Sequence, residues 1–273
     1  MVVNKESFNY PEGTDPTTSI HQKYNRNMGM EFNFASPNNL WNGKAFFMKS
    51  FSPDQPDNTH AIAGHLEYKS FKWNFKLQQE VVGENFNAEV GYVPRRGFVK
   101  TDAEAGYLHY LNRKSTLLSH GPSLNQTYFF NQDGDQTDQM TQIGYIFNFL
   151  NRSTLEFGFI RQYIRLQNAF DPIRTGIASL DAGTEHQWNE IGFEYNSKPQ
   201  SLLTYTIAGL TGGYFKGGKR SAISAESGYR FQPYLSLSSI FNFNAIDLPE
   251  PWNNNSFTLL GIKADLTLTT KLF

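Results

Sequence analysis

The sequence predicts an all-β chain, an antiparallel up-and-down transmembrane β-barrel. Three observations predict it. Hydrophobic side chains recur at every second residue through almost the whole chain, the alternating segments are long, and the connections between them are short and long by turns. A strand needs about ten residues to cross a bilayer with tilt, against about five or six in a typical globular sheet.

The alternation can be followed segment by segment. Met28, Met30, Phe32 and Phe34 interleave with Asn27, Gly29, Glu31 and Asn33, and Trp73, Phe75 and Leu77 with Lys72, Asn74, Lys76 and Gln78. Ile143, Tyr145, Phe147 and Phe149 alternate with Gln142, Gly144 and Asn148, and Ile191, Phe193 and Tyr195 with Glu190, Gly192 and Glu194. Ile223, Ala225, Tyr229 and Phe231 oppose Ser224, Glu226, Gly228 and Arg230. Leu235, Leu237, Phe241 and Phe243 oppose Ser236, Ser238, Asn242 and Asn244. Leu260, Ile262, Ala264, Leu266 and Leu268 end the series against Gly261, Lys263, Asp265, Thr267 and Thr269. A period of two puts one chemistry on each face of a strand.

Short turns are expected at 37–39, 71–72, 111–114, 151–152, 197–200 and 232–233. Longer loops are expected at 5–22, 52–59, 83–97, 131–138, 167–185, 212–220 and 247–255. Short turns on a periplasmic rim and long loops outside fit the outer-membrane arrangement. The segments amount to about thirteen full strands and a stub at residues 1–4, an incomplete barrel of about 14–16 strands.

Composition agrees with a wall that is dry on one side and wet on the other. Hydrophobic residues make up 39% and mean hydropathy is −0.51, which averages two opposed faces, while aromatics reach 15%. No apolar run is long enough for a transmembrane helix. A net charge of −1 argues against a nucleic-acid partner, and zero cysteines exclude disulfides and thiolate chemistry. Charges inside the segments, Lys44, Glu67, Lys76, Glu104, Glu156, Arg161, Arg165, Glu190, Glu194, Glu226, Arg230, Lys263 and Asp265, are expected to face a hydrated lumen. On the lipid face each would cost about 2–4 kcal/mol near the midplane. Both signs occur, so strong ion selectivity is not expected. At residues 159–165 the alternation changes phase, which reads as a bulge or as a strand end beyond the membrane.

Both ends read as cut, so residues 1–273 are expected to be a single barrel domain that continues at each terminus. Met1-Val2-Val3-Asn4-Lys5 has no export signal. Phe273 is out of phase with the register of Leu266, Leu268 and Leu272, and Lys271 stands where another aromatic is expected.

Asn85-Phe86-Asn87-Ala88-Glu89-Val90-Gly91-Tyr92-Val93-Pro94-Arg95-Arg96-Gly97-Phe98 resembles the Asn-Pro-Glu-Val-Gly-Phe-Val-x-Arg signature of a family of large outer-membrane proteins of unknown function. Tyr24–Phe32 and the tail at 266–273 are also similar to that family. Ala88 replaces the family's proline and Tyr92 its phenylalanine. The resemblance implies a C-terminal barrel, with a carbohydrate-binding-module-like domain (family nine type) upstream. The partners it suggests are outer-membrane lipid, that binding domain and oligosaccharide. The motif loop, with Asn85, Phe86, Asn87, Glu89, Gly91, Arg95 and Arg96, is the candidate plug or ligand contact.

Other motifs are weaker. Trp252, Asn253 and Asn254 lie in a long loop and could stack on and hydrogen-bond a sugar, although an interfacial tryptophan anchor accounts for Trp252 equally well. Gly213-x-x-x-x-Gly218-Lys219-Arg220 lacks the Ser or Thr of a phosphate loop and precedes a strand, not a helix. Asp133, Asp135 and Asp138 share one loop, but the spacing of a helix–loop–helix calcium site is absent and an exposed turn is favoured. No zinc spacing joins His21, His60, His65, His109, His120 and His186, and no nucleophile elbow is visible. No catalytic, cofactor or metal residue is assigned. Two functional readings stand, a conduit for small polar solutes such as oligosaccharides and a non-conducting anchor for a carbohydrate-binding domain.

Overall fold

The computed structural model describes the backbone of residues 2–6 and residues 24–53, 57–89, 91–112, 115–176 and 178–266 in full. The terminal register at Leu268–Phe273 lies outside the described residues. The strands are β1 (Val2–Glu6), β2 (Tyr24–Ala35), β3 (Trp41–Phe51), β4 (His60–Lys69), β5 (Trp73–Val82), β6 (Phe98–Tyr107) and β7 (His109–Tyr110). They continue with β8 (Leu117–Phe130), β9 (Gln136–Phe149), β10 (Thr154–Arg165), β11 (Glu185–Asn196), β12 (Leu203–Gly213), β13 (Lys219–Phe231), β14 (Leu235–Asp247) and β15 (Asn254–Leu266). Among the described residues the one helical element is a three-residue 3-10 turn at Phe215–Gly217.

Each strand pairs with its sequence neighbour in an antiparallel meander running from β1 to β15, with the two-residue β7 set beside β8. Among the described residues fourteen strands therefore lie on the path, from β1 to β15. Long alternating segments joined by tight turns leave little choice but this order, because antiparallel neighbours are the pairs a short turn can close. At the first turn Ser36 N–H donates to Trp41 O and Asn39 N–H to Ser36 O, both at 2.9 Å, with Asn39 in the left-handed region at φ 54°.

By contacts the chain divides into two compact units. The first comprises Met1–Ser70, Asn74–Glu104 and Thr127–Gln136, and the second Phe71–Trp73, Ala105–Gln126 and Thr137–Phe273. In the first, the register of β2 to β5 places Met30 beside Phe47 and Leu66 beside Leu77 on one face. Lys44 beside His65 and Glu67 beside Lys76 fall on the other. In the second, Glu156, Glu194, Ala208, Ser224 and Asn242 form one continuous cross-strand row, and Phe157 beside Phe193 lies on the opposite face.

The apolar faces are not packed against a second sheet. Met30 is 73% exposed, Leu260 73% and Ile262 87%, and Phe32, Leu77 and Ile191 are exposed with them. The buried hydrophobic clusters lie where loops meet the polar faces. A β-sandwich would show the reverse, with these aromatic and aliphatic stripes forming a dry core.

The phase change at 159–165 is not a bulge. β10 pairs residue for residue with β9 up to Ile164–Asp138 and with β11 up to Arg165–Glu185. Backbone alternation is intact, and what changes is the side-chain chemistry. Ile160 and Ile164 join the polar face, while Arg161 and Arg165 fall on the apolar face with Phe157 and Phe159. The expectation that these two arginines share the face of Glu156 is corrected. They stand at the end of β10 that leads into the loop at 166–184.

Candidate functional site

Strand alternation supplies polar faces, and loops fold onto them. In the first unit the polar face carries paired charges, with Lys44 Nζ 2.9 Å from Glu31, Lys76 Nζ 3.2 Å from Glu104 and Lys100 Nζ 2.7 Å from Asp102. Its loop at 83–97 is the motif loop, and buried amides hold it. Asn25 is 0% exposed and lies on the polar face of β2. Its Nδ2 donates to Asn87 O at 3.0 Å, and its Oδ1 accepts from Glu89 N–H at 3.4 Å and from Asn27 Nδ2 at 2.6 Å. Ser50 Oγ accepts from Asn87 N–H at 3.1 Å.

The other motif residues close the loop on itself and on the strands. Asn85 Nδ2 donates to Asp57 O at 2.8 Å, and Gly91 N–H donates to Ala88 O at 2.9 Å. Phe86 is buried against Ala61, Val82 and Phe98. Arg96 donates to Asn87 Oδ1 at 3.0 Å, and the Arg95 guanidinium lies 4.8 Å over the ring of Phe129. Cation–π stacking thus holds Arg95 against β8, and a side-chain hydrogen bond folds Arg96 back onto the loop itself. Asn85, Phe86, Asn87, Glu89, Gly91, Arg95 and Arg96 are therefore brought together as one folded loop over the polar face.

In the second unit the polar face has a different texture. Gly144, Gly158 and Gly192 are direct cross-strand partners, and at Gly158, the middle of the row, the nearest atom to an added Cβ would be Gln142 Nε2 at 3.8 Å. A cavity of about 500 Å³ opens there, lined in part by Gln142, Glu156, Glu194, Arg220, Asn242 and Asn244. Glu156 and Glu194 face each other across β10 and β11. Glu190, almost fully buried on the same face, accepts from Gln162 Nε2 at 2.9 Å.

A second loop, at 166–184, covers part of this face, and its hydrophobic residues have no period to announce them. Phe170 and Leu180 form an isolated antiparallel bridge. Ile173 at 0% exposure and Leu180 pack with Leu166, Trp188, Phe215, Ile246, Leu248 and Trp252. Asp171 fixes the turn between them. Its Oδ1 accepts from Ile173 N–H and Arg174 N–H at 3.0 Å each, and its Oδ2 accepts from Gly176 N–H at 2.7 Å. These bonds, that of Gly176 first, hold its carboxyl below the usual carboxylate range.

Trp252 belongs to this cluster. It is 9% exposed, and its indole Nε1 donates to Ala178 O at 2.9 Å. The ring is neither open to a sugar nor placed on the apolar face as an interfacial anchor. Asn253 is in the left-handed region at φ 59°, and its carbonyl accepts from Leu248 N–H at 3.0 Å. Asn254 begins β15, and neighbouring Asn255 donates its Nδ2 to Ile173 O at 3.0 Å. This loop therefore serves to latch loop 166–184.

The remaining sequence motifs resolve as turns. Gly213 ends β12 and Lys219 opens β13, with the short 3-10 turn between them, so no helix follows the glycines. Asn131 Oδ1 accepts from Asp135 N–H at 2.8 Å around Gly134 at φ 89°. Among the described residues no three His, Cys, Asp or Glu side chains converge as metal ligands.

No family model matches the chain, and no curated protein matches it. A solved structure of a porin is similar, at 9% sequence identity over 86% of this chain and 92% of the porin chain, with a TM-score of 0.46. At that distance the strands and their two faces carry the functional argument.

Proposed function

We propose that the chain forms the wall of an outer-membrane β-barrel that conducts small polar solutes. The observation that carries this reading is the exposure of long aromatic and aliphatic stripes opposite a charged face. Apolar patches of that extent require a partner or a membrane, and lipid covers a continuous face on every strand. Strands of 10–14 residues from β2 to β15, the two-residue β7 aside, suit a bilayer. Near the short turns aromatic rings cluster as they do at membrane interfaces, with Trp41 and Tyr68 5.0 Å apart and Trp73 and Tyr107 4.6 Å apart. In this reading the short turns are periplasmic and the long loops external.

In each unit the polar face is then the lumen-lining face, and one long loop, 83–97 in the first and 166–184 in the second, lies over it. The resemblance of the 85–98 segment to proteins with a carbohydrate-binding-module-like domain favours oligosaccharides as solutes, with such a domain upstream. Planar-bilayer recording of the full-length protein tests the proposal, and stepwise single-channel openings are expected. Deleting residues 86–96 is expected to raise the step size. Inserted protein that conducts in neither form would establish the anchor reading instead, which the tight seating of both loops favours.

A further inference from the structure

Arg161 and Arg165 break the chemistry of β10 without breaking its backbone, and the polar face makes no use of them. They stand above an apolar groove. In the second unit a groove of about 780 Å³ runs along the apolar face, lined in part by Ile143, Tyr145, Phe157, Phe159, Ile191 and Phe193. That volume lies within the ordinary range of ligand clefts. Toward the long loops the groove gives way to hydroxyls, Thr211 and Ser221, whose Oγ atoms are 2.8 Å apart.

The next residues on the same face are polar. Arg161 pairs across strands with Thr141 and Asn189, and Tyr163 with Gln139 and Gln187. Arg161 is exposed and donates to Gln187 Oε1 at 3.4 Å. Arg165 faces Glu185, and Glu185 and Asp138 are the carboxylates that act on neighbouring Tyr163. One face thus passes from hydrocarbon, through hydroxyls and amides, to two guanidiniums. A phospholipid passes from acyl chain to anionic headgroup in the same order.

We propose that this face holds a phosphate-bearing membrane lipid, its acyl chain in the Phe157–Phe193 groove and its phosphate at Arg161 and Arg165. The site rests on the membrane reading above, and charge complementarity selects the occupant. Arginine suits it because the guanidinium fork matches phosphate oxygens while the aliphatic stem lies along apolar surface. A neutral lipid would bring no anion to the guanidiniums, and a free phosphate would leave the groove empty.

The full-length protein, folded in detergent and transferred to nanodiscs, is to be examined by native mass spectrometry with three probes. These are phosphatidylglycerol, a diacylglycerol of the same chains, and glycerol 3-phosphate. Phosphatidylglycerol should be retained over the diacylglycerol by about tenfold, and glycerol 3-phosphate should not displace it. The Arg161→Gln/Arg165→Gln protein should lose most of that preference, and the Arg161→Lys/Arg165→Lys protein should keep much of it. Arg152→Gln, in a short turn, should change nothing.

Equal retention of the two lipids by the native chain, a comparison that needs no variant to fold, would overturn the site. So would displacement by glycerol 3-phosphate, or a protein dimer in place of bound lipid. A chain that inserts and conducts without lipid preference removes the site alone. A chain that never inserts removes the membrane reading with it.

Discussion

Two long loops lie over polar sheet faces, one in each unit, and different chemistry seats them. Loop 83–97 has one apolar foot, Phe86, but its position is set by Asn25 and Ser50, which satisfy backbone groups of Asn87 and Glu89. Loop 166–184 has a hydrocarbon foot built from Ile173, Leu180 and the Trp252 ring, with Asp171 organising its turn. The first arrangement specifies a position, because each buried amide has one set of partners. The second supplies adhesion, because burial is non-directional and scales with area.

The largest effect is expected where the adhesion is concentrated. Trp252→Ala removes one of the cluster's two indole rings and the donor to Ala178, a truncation that costs about 3–5 kcal/mol in a packed core. Loop 166–184 should then open often enough for trypsin added to intact cells to cut after Arg174, while loop 83–97 keeps its protection. Arg152, in a short turn, should stay uncut from outside. Cleavage at Arg152 instead would show that the orientation is inverted, and no change at Arg174 would show that the cluster does not hold the loop.

A smaller effect is expected from the amide seat. Asn25→Ala leaves the Asn87 carbonyl and the Glu89 N–H without that side chain, a loss of about 1–3 kcal/mol for buried polar groups. In purified protein, tryptic cleavage after Arg95 and Arg96 should rise, while cleavage after Arg174 stays at the native rate. Equal loosening at both loops would mean that the two seats are not independent.

How far the sequence leads differs between strands and loops. The stripes of β2, β5, β11 and β15 are legible because period two is a local signal, and the register in the structure follows it. At β10 the same signal misleads, since a polar–apolar swap toward the rim looks like an extra residue when only chemistry is read. A resemblance alone marks the motif loop, and its partners Asn25 and Ser50 lie 62 and 37 positions from Asn87 with nothing local to mark them. Nothing in the sequence marks the seat of loop 166–184, because Phe170, Ile173 and Leu180 follow no period. Trp252 looked like a surface aromatic because its cover, the loop around Ala178, is 74 positions away. Long-range burial of an irregular loop leaves no pattern in the loop itself.

The smallest expected effect concerns pH and again separates the loops. Asp171 accepts backbone N–H bonds from Ile173, Arg174 and Gly176, and those bonds, that of Gly176 foremost, depress its pKa. A carboxyl whose folded pKa is lowered contributes its full stabilisation above its unfolded value, about 3.9, and loses it as pH falls through the folded value. The amides of Ile173, Arg174 and Gly176 should therefore be equally protected from hydrogen exchange at pH 7 and pH 5. After correction for intrinsic exchange rates, protection should fall progressively below about pH 4. Asp171→Asn keeps an acceptor but no titrating proton, so it should flatten this profile at a lower plateau. The carboxylate lies in an exposed turn, where solvent screens it, so the change should stay local to the turn and leave the Ile173–Trp252 packing in place. An acid transition that survives unchanged in Asp171→Asn would assign the loosening to another group and end the role given to Asp171.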